Sequence, residues 1–203
     1  MVATIPPPDL RLADAHWPRQ ASWPAAPRGL GVIALHEAGH LCAGLAEGLT
    51  PNRQVARVHD SGGGEVSTYD RDGRRLGRPG AVVQVAPNPE AQADRRWQRQ
   101  VLGWAGMFCA GYAAEALLHR YAEDITGWPA PLVGTPDLQN ATAFLSLGWP
   151  HSFEGSLWCA WRHALHVLSE RWPWVLRVGT EIAIQGQCSS ERAQALRAAE
   201  EPT

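Results

Sequence analysis

The 203-residue chain contains no lysine: all 18 of its basic residues are Arg. Without lysine there is no phosphate-loop lysine, so a P-loop nucleotide site is excluded. A lysine Schiff base is excluded too, and with it pyridoxal-phosphate and class I aldolase chemistry. The chain also lacks any CxxC pair. Its four cysteines, Cys42, Cys109, Cys159 and Cys188, are widely spaced, which argues against a Cys-ligated zinc or a thioredoxin-like motif and predicts buried free thiols in a reducing cytoplasm. No uninterrupted run of about 18 apolar residues occurs, so no membrane span is expected. Residues 1–28 show no cationic region followed by an apolar one, so no signal peptide is expected. The Lys-free, Ala-, Arg-, Gly-, Pro- and Trp-rich composition points to a GC-biased bacterial genome and a cytoplasmic protein. A net charge of −2 supplies no field that would gather nucleic acid.

What is present suits one folded domain: 45% of residues are apolar and 19% charged, enough for a packed core. Residues 1–28 carry Pro6, Pro7, Pro8, Pro18, Pro24 and Pro27 and read as an extended arm, with Trp17 and Trp23 available to pack on the body, residues 29–203. From Gly29 to Leu49 the apolar residues Val32, Ile33, Leu35, Leu41, Leu45 and Leu49 follow a helical pattern, stopped by Thr50-Pro51-Asn52. Gln54–His59 and Gly64–Tyr69 read as two short strands around Ser61–Gly64, Asp70–Gly80 as an Arg-rich loop, and Ala81–Ala86 as a third strand. Asn88-Pro89 opens a long helix to about Tyr121 whose second half, Val101–Leu118, must be buried. Further helices are expected from Thr135-Pro136-Asp137 to about Leu147, over Glu154–Arg171, from Pro173 to Gln185, and after a Ser189 or Ser190 cap. The expected class is mainly α, multi-helical, with a small β-hairpin or short sheet.

The chemistry-bearing segment is His36-Glu37-Ala38-Gly39-His40. Positions i and i+4 share a helical face, so both imidazoles can address one ion, and Glu37 can reach a metal-bound water as general base. Random order of this composition yields about 0.02 HExxH matches. The segment is also apolar, where two His and a Glu are costly without a partner. Gly39, inside the helix, costs roughly 1 kcal/mol relative to Ala and suggests that another backbone or side chain comes close there. A catalytic zinc needs a third ligand, and His59, Asp60, Glu115, Glu123, Asp124 and Asp137 are the downstream candidates. Asp137 opens a helix, where an acid commonly just complements the dipole.

HEAGH, then Gly111-Tyr112-Ala113-Ala114-Glu115, then Thr135-Pro136-Asp137-Leu138-Gln139-Asn140-Ala141-Thr142 together resemble the peptidase domain of FtsH-type zinc proteases, across roughly Gly29 to Ala199. The resemblance implies Asp137 as the third zinc ligand beside His36 and His40, and places Glu115 where that family has a glutamate next to the motif, suited to orienting a ligand imidazole. It implies a zinc metallopeptidase domain over 29–203 with Glu37 as catalytic base. Two features depart from the family. Neither an ATPase module nor a membrane anchor precedes the motif, and Tyr112 stands where the family usually has Arg. The expected activity is therefore ATP-independent cleavage of peptides or unstructured protein, with the strands at 54–69 as substrate platform and the arm as a place for a delivery partner or a second copy of the chain. The rival is a zinc-containing binding or regulatory module without turnover. His163, His166 and Glu170 share a helix face and suggest either a second metal site or a solvated surface. Most Trp residues, such as Trp97 with Trp104, read as core anchors.

Overall fold

The computed structural model describes residues 28–49, 55–59, 64–66, 68–69, 75–76, 95–119, 135–148 and 153–198. Helices α1 (Arg28–Ala46) and α2 (Arg95–His119) form the central pair. Their backbones approach closely at Gly39, where a Cβ would strike the carbonyl oxygen of Ala110 and lie 2.9 Å from the Ala114 Cβ. The expectation of a close approach at Gly39 holds, and the neighbour is the helix backbone itself. α1 ends at Ala46, earlier than its apolar pattern, because Gly48 adopts a left-handed conformation (φ 64°) and the Leu49 N–H donates to the Gly44 carbonyl at 2.8 Å. Leu49 keeps its place in the pattern because it still tucks into the core.

Strands β1 (Val55–Val58) and β2 (Gly64–Val66) form the expected antiparallel pair, with Ala56 opposite Val66 and Val58 opposite Gly64. Their inward residues lie against α1. Two further strands, β3 (Thr68–Tyr69) and β4 (Arg75–Leu76), pair with each other, so the described residues of the second expected strand belong to two different sheets and the expected Arg-rich loop contains a strand. Ladders of two residues are too short to leave an alternating pattern.

α2 packs against α1, α3 (Pro136–Gly148) and α4 (Phe153–Ser169). The Phe108 and Phe144 rings stack at 5.6 Å, Trp104 tilts on Phe144 at 5.1 Å, and Trp97 meets Trp104 edge-on at 5.7 Å. The Arg95–Leu118 stretch is long and apolar enough to cross a membrane by length and composition, and 78% of its most apolar 18 residues are buried inside the fold. Its apolar character is that of a core helix. α5 (Trp172–Gln185) covers the other flank of α1. Pro173 stands in its first turn, and Gly186 (φ 73°) ends it.

Strand β5 (Gln187–Ser189) then joins the other edge of β1, placing Cys188 opposite Ala56, so the sheet order is β2-β1-β5. The third strand of this sheet thus comes from near the C-terminus, and the expected strand at 81–86 lies outside the described residues. α6 (Ser190–Ala198) is capped by Ser189, whose Oγ accepts from the Arg192 N–H at 3.2 Å. It docks on α5 through Trp174 Nε1–H to the Ala193 carbonyl (2.7 Å) and Arg197 over the Trp174 ring. The observed architecture is mainly α with a small antiparallel sheet. All four cysteines are free. Cys42, Cys109 and Cys188 are buried as expected, whereas Cys159 is exposed on α4. The proline-rich arm expected at 1–28 lies outside the described residues except for Arg28, which starts α1.

Candidate metal centre

One turn of α1 separates His36 from His40, and each ring is anchored through Nδ1. His40 Nδ1–H donates to the Met107 carbonyl at 2.7 Å, and His36 Nδ1–H donates to Glu115 Oε1 at 2.6 Å. These acceptors commit the ring protons to Nδ1 and turn both Nε2 lone pairs inward. The two Nε2 atoms stand 3.0 Å apart. Asp137, in the first turn of α3, places Oδ2 3.2 Å from His36 Nε2 and 3.4 Å from His40 Nε2. Two imidazole lone pairs and a carboxylate converging at this range repel unless a cation or a proton sits among them.

The three donors fit a metal ion. Bonds of about 2.0–2.1 Å in a tetrahedral shell put ligand atoms roughly 3.3 Å apart, and the three observed separations bracket that value. Gly111 of α2 faces the same point: a Cβ there would collide with the Nε2 atoms of both His36 and His40. The absence of a side chain at 111 leaves the cradle open. Two neutral imidazoles and one carboxylate form a donor set suited to a divalent transition metal. Glu37 is buried beside the cluster under β2, and a Cβ at Gly64 would meet its carboxylate. The strand therefore lies directly over the glutamate, and a side chain at 64 would have to displace the Glu37 carboxylate.

The local charges bind one another strongly. Burial opposes the Asp137 charge, yet the two imidazoles, His40 foremost, hold its carboxyl well below the usual range. Burial alone would lower His36, but hydrogen bonds to Asp137 and Glu115 outweigh it and raise the ring to about 9. His40 is raised as well, with Asp137 outweighing burial. The Glu37 carboxyl is pushed up, first by burial and then by Asp137, against the pull of both imidazoles. Such a cluster attracts positive charge, whether protons or a metal.

Among the described residues, His36, His40 and Asp137 form the one group of three or more His, Cys, Asp or Glu close enough to hold a metal ion. Glu115 is near them but spends its carboxylate on the far nitrogen of His36. His59 is exposed and outside the group, while Asp60, Glu123 and Asp124 lie outside the described residues. Among the described residues no second centre forms on α4: His163 instead pairs with Glu47 at 2.9 Å, and His166 pairs with Glu170 on the exposed face at 3.5 Å. Gly111, Gly64 and the Met107 carbonyl were not foreseen as parts of the site. Backbone groups and missing side chains leave no chemical signature in a sequence, and only the small residues of GYAA hinted at a close approach. Among known proteins, no family model, curated protein or solved structure matches the chain.

Proposed function

We propose that the chain is a zinc-dependent endopeptidase that hydrolyses peptides or unstructured protein segments without ATP. The observation that carries this reading is the convergence of His36 Nε2, His40 Nε2 and Asp137 Oδ2 with Glu37 immediately beside them. A regulatory zinc module would need the three donors but not a carboxylate next to them. The resemblance of HEAGH, GYAAE and the Asp137 segment to FtsH-type peptidases supports the same reading.

In this scheme His36, His40 and Asp137 hold the zinc, and Glu115 and the Met107 carbonyl orient the imidazoles. Bound zinc supplies a Lewis acid that polarises the scissile carbonyl and acidifies a water. Glu37 takes the water's proton and returns it to the leaving amine. Among the described residues β2 is an outer strand of its sheet, and beside Gly64 and Glu37 it would offer an extended backbone a place to add as a further strand. A backbone held this way must already be extended, which selects flexible substrates. With no lysine for a phosphate loop, this chain brings no ATP site of that type to unfold anything else.

The test is hydrolysis of an unstructured protein such as casein by zinc-loaded wild type and Glu37→Gln, with and without ATP. Wild type should cleave equally in both conditions. Glu37→Gln should retain about one zinc per chain and lose at least about 100-fold in turnover, the scale of general-base catalysis. Undiminished cleavage by Glu37→Gln would sink the mechanism. Zinc binding with no cleavage by wild type would favour the regulatory module.

A further inference from the structure

Tyr112 lies between two parts of the site, one residue after Gly111 and three before Glu115 on α2. Its ring meets the His36 ring edge-on, with centroids 4.7 Å apart and planes at 87°. Its hydroxyl is hydrogen-bonded to the Thr135 side chain. Thr135 is the residue from which α3 starts: its carbonyl accepts the Gln139 N–H at 3.0 Å. Asp137 follows two positions later. One tyrosine therefore touches a ligand ring and, at its other end, the root of the helix that delivers the third ligand.

Among the described residues, α2 is the helix against which α1 and α3 both pack most extensively, with α4 a lesser common neighbour. The approach of Asp137 to the imidazoles is therefore set largely through α2, and Tyr112 is an α2 side chain that reaches both partners. The edge-on contact also fills one side of the His36 ring, complementing the Glu115 hydrogen bond that fixes its Nδ1.

We propose that Tyr112 is a positioning residue of the metal site: its ring steadies His36 while its hydroxyl, through Thr135, holds the start of α3 so that Asp137 completes the ligand set. The inference rests on the metal reading above. Groups that orient ligands without touching the metal typically govern 10–100-fold of its affinity. The hydroxyl and the Thr135 side chain act as one link, so cutting it at either end should have the same effect.

The test is zinc affinity by competition with a chromophoric chelator, using full-length wild type, Tyr112→Phe, Thr135→Val, the double variant and Thr135→Ser. Tyr112→Phe and Thr135→Val should each weaken zinc binding about tenfold. The double variant should match either single within about twofold, since the second cut removes nothing more. Thr135→Ser, which keeps the hydroxyl, should bind like wild type. Wild-type affinity in Tyr112→Phe, additive losses in the double variant, or a Thr135→Ser as weak as Thr135→Val would each overturn the proposal. If wild type takes up no zinc, the metal reading fails and this inference fails with it. If wild type binds and cleaves while Tyr112→Phe binds equally well, only the role of Tyr112 is lost.

Discussion

At position 111 a Cβ would occupy the space that both Nε2 atoms face, so a methyl group there and a metal ion held by the three donors would compete for the same place. Alanine suits a helix better than glycine by about 1 kcal/mol, and Gly111→Ala is expected to leave α2 helical. Its effect falls instead on the ligands, because the imidazoles are held from behind by Met107 and Glu115 and have little room to retreat. The variant should fold, with the helical circular dichroism of wild type, and contain well under one zinc per chain by elemental analysis. Full zinc content in Gly111→Ala would show that the ion sits elsewhere. This differs from the outcome for Asp137→Ala, which removes a donor but leaves the cradle open, and which should weaken binding rather than exclude the ion.

Between elements, the same logic acts at Gly39, where the cost appears in stability. Gly39→Ala gains helix propensity but drives a Cβ into the Ala110 carbonyl, a backbone atom that cannot rotate away. Overpacking of this kind costs about 1–3 kcal/mol, and the net effect should be a lowered midpoint in urea unfolding. A second joint links α1 to α4. Glu47, just past the end of α1, is hydrogen-bonded to His163, and that contact holds its carboxyl below the usual range. A depressed carboxyl contributes stability above its unfolded value of about 4.3 and loses it as pH falls through the folded value. Glu47→Gln should therefore be less stable than wild type at pH 7, by at most about 1 kcal/mol for a partly exposed pair. The two should converge as the pH is taken below 4; a gap that persists in acid would contradict the assignment. These joints also mark what could be read in advance. The helices announced themselves through local periodicity, and HEAGH did so through spacing on a single helix. Asp137 needed the resemblance, since an acid in a first turn is ordinary. β5 and the Glu47–His163 pair left no trace, because each depends on residues more than 100 positions apart in sequence and a three-residue strand carries too little alternation to be seen.

For the molecule as a whole, thiol chemistry offers a check that needs no knowledge of substrate. Cys42, Cys109 and Cys188 are enclosed by the core, and burial pushes all three thiols up, Cys188 to about 11. Cys159 alone is exposed. A thiol-disulfide dye should modify one cysteine quickly in the native protein and all four in denaturant. Fast reaction of a second thiol in the native state would place one of the three outside the core. The centre also has an order in time. His36 and Asp137 stand 101 positions apart along the chain. A ribosome that has released α1 must still make all of α2 and the start of α3 before the three donors can meet. Under the function proposed above, the growing chain already carries its general base and both imidazoles, yet cannot cut. On that proposal, each nascent molecule would be its own inactive precursor until its last ligand emerges.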